Sequence, residues 1–216
     1  MIVSQQKPIE EILESLKGYK SLFLVGCGEC ATICKSGGQP ELDKMKAILE
    51  SAGKTVLGTC LPQAPCLAPQ IKTELARNMK VLGSCDAVLV LACGLGVQSV
   101  KNNSRLKKTV IPANNTFFSA TMDGQGDFYE KCSMCAECVL ALTGGICPVT
   151  LCPKGLLNGP CGGVNRGKCE VDNEKDCVWV LIYKELESGN NLDKIRRIHG
   201  GRDYQKALNP RKLTLK

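Results

Sequence analysis

The sequence predicts an α/β fold: a small parallel sheet flanked by helices (Rossmann-like), followed by a cysteine-rich, metal-stabilised module with little regular structure and a C-terminal helix. Two features of the chain indicate this. Between residues 21 and 113, short apolar segments rich in branched side chains alternate with segments of helical periodicity, an order typical of parallel sheets. From Cys132 to Cys177, eight cysteines fall within 46 residues, among many glycines and prolines. We therefore expect an α/β domain over residues 1–120, the cysteine-rich module over residues 121–190 and a basic tail over residues 191–216.

The individual elements follow from the spacing of apolar side chains. Four buried strands are predicted at SLFLVG, KTVLG, DAVLVLA and KTVIP. Two helices are predicted from apolar residues three or four positions apart: Leu42, Met45, Ile48, Leu49 and Ala52 before Gly53, then Ile71, Leu75, Met79 and Leu82. Residues 1–16 predict a short amphipathic helix, residues 114–130 a linker or packed loop, and VWVLIYKEL a helix after Cys177.

Composition and charge exclude several classes of protein. An odd total of fifteen cysteines, CxxC spacings and the lack of an export segment favour metal ligation in a reduced, cytoplasmic protein over disulfides. No apolar run is long enough for membrane insertion. The formal charge of +7 arises mainly from the tail, where eight Lys or Arg face two Asp. Because bound clusters would offset this charge, we expect no nucleic-acid partner.

Six cysteines lie at or after the predicted carboxyl ends of strands, where the ligands of open parallel sheets converge. They are Cys27, Cys30, Cys34, Cys60, Cys66 and Cys93. Four of these sulfurs are expected to surround one cluster, with glycines such as Gly28 and Gly94 letting backbone N–H groups approach it. Cys85 precedes its strand, at the opposite edge, and is expected to be structural.

The second group of cysteines predicts two four-cysteine metal sites. Its members are Cys132, Cys135, Cys138, Cys147, Cys152, Cys161, Cys169 and Cys177. The CSMCAEC spacing lets one short loop cap three corners of an iron–sulfur cube, and ferredoxin runs of this kind finish with a remote Cys-Pro pair, of which two follow here. Zinc competes, because four-cysteine zinc sites also use CxxC pairs, but three closely spaced cysteines are less suited to its usual two-plus-two arrangement. We therefore favour iron–sulfur at the CxxCxxC site and leave the other site open. The simplest partition joins the first three sulfurs to Cys177, although other groupings agree equally well with the sequence.

Groups that transform a substrate are missing from the sequence. The single histidine, His199, lies in the basic tail and is expected in solvent. The sequence contains no nucleophile paired with a base, no phosphate loop and no flavin motif. Trp179 is expected to pack in the core, with shielding of a cluster as the alternative. By itself the chain is therefore expected to carry electrons, with catalysis in another chain.

The block FYEKCSMCAECVLALTGGICPVTLCPKGLLNGPCGGVNRGKCEVDNEKDCVWVLIYKEL resembles the C-terminal-type domain associated with methylenetetrahydrofolate reductase. GCGECATICKSGG, LPQAPC and LACGLGVQSV resemble the N-terminal part of the same family, so the similarity spans nearly the whole chain. Members of this family include the small iron–sulfur subunit of the acetogen-type reductase, which works beside a flavin-bearing barrel subunit that binds the folate.

The resemblance implies two or three [4Fe-4S] clusters that pass electrons to the flavin of the partner subunit. That partner reduces methylenetetrahydrofolate to methyltetrahydrofolate in the reductive acetyl-CoA pathway. The upstream donor would be ferredoxin or a larger iron–sulfur and flavin complex. By family motif, all eight cysteines of the second group match, and the candidates for the first cluster, one of them not a ligand, are Cys27, Cys30, Cys34, Cys66 and Cys93. Cys60 departs from the motif, and zinc stays open at one four-cysteine site.

Two other functions stay open on the sequence. A zinc-bound structural or interaction module would use the same cysteines and meet RNA through the tail. A self-contained oxidoreductase would bind nucleotide at GCGEC, but that motif lacks its third glycine, and its second strand ends at Thr59 and Cys60 where a ribose-binding acid is expected. The tail itself is either a docking arm for the partner or a solvated segment.

Overall fold

The computed structural model describes residues 1–214, which divide into two compact units. The first unit covers residues 1–118, and the second begins at residue 119. Within residues 1–214, no helix has both the length and the apolar character that a membrane span requires.

The first unit is built around a parallel sheet. The strands of the unit are β1 (Ile2–Gln6), β2 (Ser21–Val25), β3 (Thr55–Cys60), β4 (Ala87–Val90), β5 (Thr109–Pro112) and β6 (Asn114–Ser119), which ends at the unit boundary. Strands β2 to β5 form one parallel sheet in the order β3-β2-β4-β5, whereas β1 pairs with β6 in a separate ribbon. The predicted fold class is confirmed, and each of the four predicted strands is present.

Helices cover both faces of this sheet. They are α1 (Ile9–Ser15), α2 (Cys30–Ile33), α3 (Gln39–Ser51), α4 (Ala68–Arg77), α5 (Met79–Ser84) and α6 (Gly94–Asn103). Leu22 and Leu24 of β2 belong to the buried cluster that includes residues of α1 and α3. Phe23 and Val25, the alternate residues of the same strand, belong to the cluster that includes residues of α4, α5 and α6. Because both faces are covered, the strand is apolar at successive positions, as expected of a parallel sheet.

Predictions for two segments at the edge of this unit are wrong. Residues 2–6 form β1 rather than the start of a helix, because Pro8 stands at the N-terminus of α1 and helix begins only at Ile9. Residues 114–119 form β6 rather than a loop. The amide of Asn114 donates to the Ser36 carbonyl oxygen at 3.1 Å, and the hydroxyls of Ser4 and Ser36 lie 3.0 Å apart. These buried long-range hydrogen bonds satisfy the Ser4 hydroxyl and the Asn114 amide nitrogen, whereas Asn114 Oδ1 is buried without a partner among residues 1–214.

The single helix predicted through Ile71 and Leu82 is two helices. α4 ends at Arg77 and α5 begins at Met79. At the break, the side-chain amide of Asn78 donates to the carbonyl oxygen of Glu74 at 2.9 Å, a local bond of the kind that competes with continued helix. The apolar face continues through the break, since Ile71 and Leu82 are buried in the same cluster.

The second unit has little regular structure. Its elements are β7 (Thr121–Met122), β8 (Phe128–Tyr129), α7 (Pro148–Leu151), α8 (Val178–Ser188) and two short 3-10 helices, Leu192–Ile195 and Tyr204–Ala207. α8 is the predicted C-terminal helix. Within residues 1–214, the buried cluster of this unit has five members, whereas each of the two clusters of the first unit has thirteen. So small a core supplies little folding energy, which is the situation in which small domains depend on bound metal.

Candidate metal centres

The cysteine-bearing loops of the first unit meet at the carboxyl end of the sheet. Cys27 follows β2, Cys60 is the last residue of β3, and Cys93 lies between β4 and α6. The Cys27 N–H donates to the carbonyl oxygen of Gly37 at 2.9 Å, and the Gly28 N–H donates to that of Pro62 at 2.9 Å. Backbone hydrogen bonds therefore hold the loop after β2 against the loop after β3.

Cys30 and Cys93 each lie within electrostatic reach of three further thiols at this edge. Burial raises the pKa of Cys27, Cys34 and Cys66, and the neighbouring thiolates of Cys30 and Cys93 raise the pKa of all three further. Cys30 and Cys93 are thus shared neighbours of the other three sulfurs. These five residues are the set that the family motif assigned to the first cluster.

Cys60 and Cys85 have different surroundings. Burial raises the pKa of Cys60 to about 12, and the charge that adds to this effect is Glu74 rather than a thiolate. The Cys85 thiol precedes β4 and donates to the carbonyl oxygen of Leu82 at 3.2 Å. Both cysteines are buried members of one apolar cluster. The neighbours of Cys60 therefore favour leaving it out of the ligand set, although it ends a strand.

Two glycines allow the loops at this edge to approach one another closely. A Cβ added at Gly37 would overlap the carbonyl oxygen of Leu91, the residue that follows β4. A Cβ added at Gly26 would lie 2.6 Å from the Gly37 carbonyl oxygen. Neither approach is open to a residue with a side chain, so the geometry of the cysteine-bearing edge depends on glycine at both positions.

In the second unit, the CSMCAEC loop (residues 132–138) turns sharply between its cysteines. Met134 has a φ of 53° and Ala136 a φ of 63°, a left-handed conformation that residues with side chains rarely adopt. The Met134 N–H lies 3.4 Å from the sulfur of Cys132, in position to donate to it. Such N–H to sulfur bonds are among the contacts that set cluster potentials in proteins.

Thr150 connects Cys147 to the CSMCAEC loop. Its hydroxyl oxygen accepts a hydrogen bond from the Ser133 N–H at 3.0 Å and lies 3.7 Å from the sulfur of Cys147. Cys147 stands directly before α7, and Thr150 belongs to that helix. This contact favours grouping Cys147 with the three cysteines of the loop.

The remaining four cysteines line one cavity of about 760 Å³. They are Cys152, Cys161, Cys169 and Cys177. The Cys169 N–H donates to the Lys175 carbonyl oxygen at 3.0 Å, and the Cys177 N–H donates to that of Gly167 at 2.8 Å, so a tight turn brings these two cysteines to the same wall. The lining favours a sequential partition of the eight cysteines over the simplest one, which joined Cys177 to the first loop.

Trp179 packs in the core as predicted, and its shielding of a cluster stays a prediction. Its side chain is 5 % exposed, packs in the buried cluster of the unit and lines the four-cysteine cavity. The indole N–H donates to the carbonyl oxygen of Leu156 at 3.0 Å.

The prediction that His199 lies in solvent is wrong. The residue is half-buried, and its Nε2 is fully buried. The side chain of Asn158 forms two hydrogen bonds with the backbone of His199, of 2.8 and 3.0 Å.

Sequence reasoning missed two residues beside the CSMCAEC loop, Thr150 and Arg202. The guanidinium of Arg202 donates to the carbonyl oxygens of Cys135 and Glu137 at 3.5 and 3.3 Å. Its Nε–H is buried and has no partner among residues 1–214. No local motif marks either residue, because their contacts span 17 and more than 60 positions of the chain.

The chemistry of these donors suits iron–sulfur clusters. Thiolates are the usual ligands of such clusters, and all fifteen cysteines are free. The buried, unpaired Nε–H beside Cys135 suits a bound anionic group. Among the described residues, no three Cys, His, Asp or Glu side chains are already gathered closely enough to hold a metal ion. Ligation therefore requires the cysteine side chains to close around the bound group.

The family model described as "Methylene-tetrahydrofolate reductase C terminal" matches residues 111–205. The resemblance is confirmed over that part of the chain, which includes all eight cysteines of the second group and Arg202. The description associates this part with methylene-tetrahydrofolate reductase. Residues 1–110 lie outside the match, so the resemblance drawn for them stays a prediction. No curated protein and no solved structure matches the chain.

Proposed function

We propose that this chain is the iron–sulfur subunit of a methylenetetrahydrofolate reductase. It delivers electrons to the flavin of a partner subunit, which reduces methylenetetrahydrofolate to methyltetrahydrofolate. The observation that carries the proposal is the cavity lined by four cysteines, because it lies within the residues that the family model matches. The cavity supports an iron–sulfur role within this family association, since four thiolates are the usual ligand set of a [4Fe-4S] cluster.

Three sets of cysteines would hold the clusters. The first set is drawn from Cys27, Cys30, Cys34, Cys66 and Cys93; the second is Cys132, Cys135, Cys138 and Cys147; the third is Cys152, Cys161, Cys169 and Cys177. Iron–sulfur clusters, when bound, accept and release single electrons, which suits a chain that supplies a two-electron flavin.

The apolar residues of the second unit would control the surroundings of the third set. Trp179, Leu151 and Val164 line the cavity beside the four cysteines. Trp179 is held there by its hydrogen bond to Leu156 as well as by packing. Apolar walls of this kind limit the access of water, and solvent exposure is one of the factors that set a cluster's potential.

A zinc-bound module is the competing interpretation. Zinc draws four sulfurs to about 2.3 Å from one ion and needs no large space between them. The cavity that Cys152, Cys161, Cys169 and Cys177 line has a volume of about 760 Å³ and so has room for a group bulkier than a single ion. At the second set, the three closely spaced cysteines of CSMCAEC suit the usual two-plus-two arrangement of zinc less well, which favours an iron–sulfur cluster there.

Electron transfer to a flavoprotein tests the proposal. The full-length chain would be purified anaerobically, reduced, freed of excess reductant and mixed with a flavin-bearing methylenetetrahydrofolate reductase subunit. We expect the flavin absorbance to bleach while the iron–sulfur absorbance returns. Chain stripped of metal by a chelator serves as the control and should leave the flavin oxidised. A loaded chain that forms a complex with the partner and still leaves its flavin oxidised would contradict the proposal.

A further inference from the structure

The basic segment after α8 packs on the CSMCAEC loop. Arg202 donates from its guanidinium to the carbonyl oxygens of Cys135 and Glu137 at 3.5 and 3.3 Å. The Asp203 N–H donates to one carboxylate oxygen of Glu137 at 2.9 Å, and the ammonium of Lys206 lies 3.3 Å from the other. The segment therefore forms hydrogen bonds with the backbone of the loop and pairs with its acidic side chain.

A second arginine holds the strained part of the loop. The Arg211 guanidinium donates to the carbonyl oxygen of Met134 at 2.8 Å. Met134 and Ala136 both have positive φ, which persists only where the surroundings hold the backbone in place. Hydrogen bonds to the carbonyls of Met134, Cys135 and Glu137 hold the loop in this conformation.

One hydrogen-bond donor of Arg202 has no partner among the described residues. Its Nε–H is buried without a partner in the described part of the chain, although buried donors in proteins are nearly always satisfied. Another nitrogen of the same guanidinium donates to the carbonyl oxygens of Cys135 and Glu137, which fixes the side chain against the loop. The unused N–H therefore belongs to a guanidinium held against the loop that carries three of the four sulfurs of the second candidate set.

We propose that Arg202 donates its Nε–H to the cluster held by the CSMCAEC loop and that its positive charge raises the reduction potential of that cluster. This inference rests on the proposed function. It makes the basic segment an internal part of the cluster site, rather than the docking arm or solvated tail that its composition predicts.

The direction of the effect follows from charge. One-electron reduction adds a negative charge to the cluster, so a fixed positive charge and a hydrogen-bond donor stabilise the reduced form more than the oxidised form. Loss of this donor is expected to change the equilibrium constant for reduction by about tenfold, which corresponds to about 59 mV for one electron.

Midpoint potentials of the full-length, cluster-loaded chain test the proposal. Potentiometric titrations followed by electron paramagnetic resonance would compare the wild type with Arg202→Gln and Arg202→Lys. We expect Arg202→Gln to lower the potential of one cluster by about 59 mV, the tenfold change, and to leave the others unchanged. Arg202→Lys keeps the charge without the Nε–H and should cause a smaller shift. If the Arg202→Gln variant loses the cluster, the Arg202→Lys variant tests the proposal instead. A cluster potential below that of the wild type in Arg202→Lys supports donation by Nε–H, and an unchanged potential overturns the proposal.

Arg196→Gln is the matched control. Arg196 precedes Arg202 by six positions, is exposed, and its side chain forms no hydrogen bond or ion pair within residues 1–214. Equal potentials in the wild type and Arg202→Gln would overturn the proposal, and so would a shift of the same size in Arg196→Gln. Either result leaves the proposed function standing, whereas a wild-type chain that holds zinc and no iron would overturn both.

Discussion

Cys93 and Cys60 differ in their neighbours and not in their burial. Both side chains are 7 % exposed, and both lie at the carboxyl end of the sheet. Cys93 neighbours three other thiols, whereas the charged neighbour of Cys60 is Glu74. Position at a strand end therefore does not by itself identify a candidate ligand at this edge, and the neighbouring thiols are what distinguish Cys93 from Cys60.

The pair gives a direct test of the first site. Cys93→Ala is expected to remove one cluster, about four irons per chain, because it deletes a sulfur shared by the whole group. Cys60→Ala should keep the full iron content, since burial and the charge of Glu74, rather than a thiolate, raise the pKa of its thiol. Iron analysis of the two anaerobically prepared variants measures the difference. Equal losses in both variants would show that the thiol group is assigned wrongly.

Asp86 gives a pH-dependent contribution to the stability of the first unit. Its carboxylate accepts hydrogen bonds from the Ser21 and Lys20 N–H groups at 2.8 and 2.9 Å, and these bonds hold the pKa of Asp86 below its usual value. A depressed folded-state pKa stabilises the fold above the unfolded-state pKa of about 3.9, and the effect is lost as the pH falls through the folded-state pKa.

Asp86→Asn is therefore expected to lower the free energy of unfolding at pH 7, with a difference from the wild type that shrinks below about pH 4. Urea unfolding of the two proteins at pH 7 and pH 3 measures this change. A difference that is the same at both pH values would show that the carboxylate charge has no part in the contribution.

At the scale of the elements, the turn between α2 and α3 depends on Gly37. A Cβ there would overlap the carbonyl oxygen after β4, so Gly37→Ala must displace backbone at the cysteine-bearing edge. We expect a loss of about 1–3 kcal/mol in unfolding free energy, together with reduced iron at the first site. Gly83→Ala, in α5, is the control: its Cβ would meet no atom within 4 Å, and replacing a helical glycine should stabilise the fold by about 0.5–1 kcal/mol. Calorimetry of both variants measures the direction of each change in unfolding free energy. If Gly83→Ala destabilised the protein as much as Gly37→Ala, the account would be contradicted.

The elements that the sequence predicts are those whose apolar pattern is local. The runs at Leu22–Val25 and Ala87–Val90 are buried on both faces, so they indicate strands without knowledge of their neighbours. β1 and β6 could not be predicted in this way, since buried polar residues such as Ser4 and Asn114 stand in them and meet Ser36 from far along the chain. α6 also lacks a signal, because Gly94 and Gly96 open it.

The candidate sites also differ in how far the sequence predicts them. Strand order brings Cys27 and Cys93 to one edge, and this follows from parallel topology alone. The grouping of the second eight cysteines does not follow from spacing, since it depends on the contact of Thr150 with Cys147 and on the cavity that Cys177 lines. The role of Arg202 depends on hydrogen bonds that span more than 60 positions and is invisible to any local pattern.

At the scale of the whole molecule, the two units have unequal means of stabilisation. The first has two buried clusters on the faces of a parallel sheet, whereas the second has one cluster of five residues around α8 among the residues described. Binding of metal by the eight cysteines of the second unit would supply the folding energy that its apolar core does not.

Removal of metal should therefore affect the units differently. After treatment with a chelator and an oxidant that destroys clusters, residues 119–214 are expected to lose protection from hydrogen exchange, while the sheet of residues 1–118 keeps it. Exchange followed by peptide mass spectrometry measures both in one sample, and untreated protein provides the reference. Retained protection throughout the second unit would show that it folds without metal.

Metal and sulfide analysis of the anaerobically purified, full-length chain tests the central claim most directly. Two or three [4Fe-4S] clusters predict about eight to twelve irons per chain, an equal amount of acid-labile sulfide, and brown colour. A colourless protein with stoichiometric zinc and no sulfide would contradict the account.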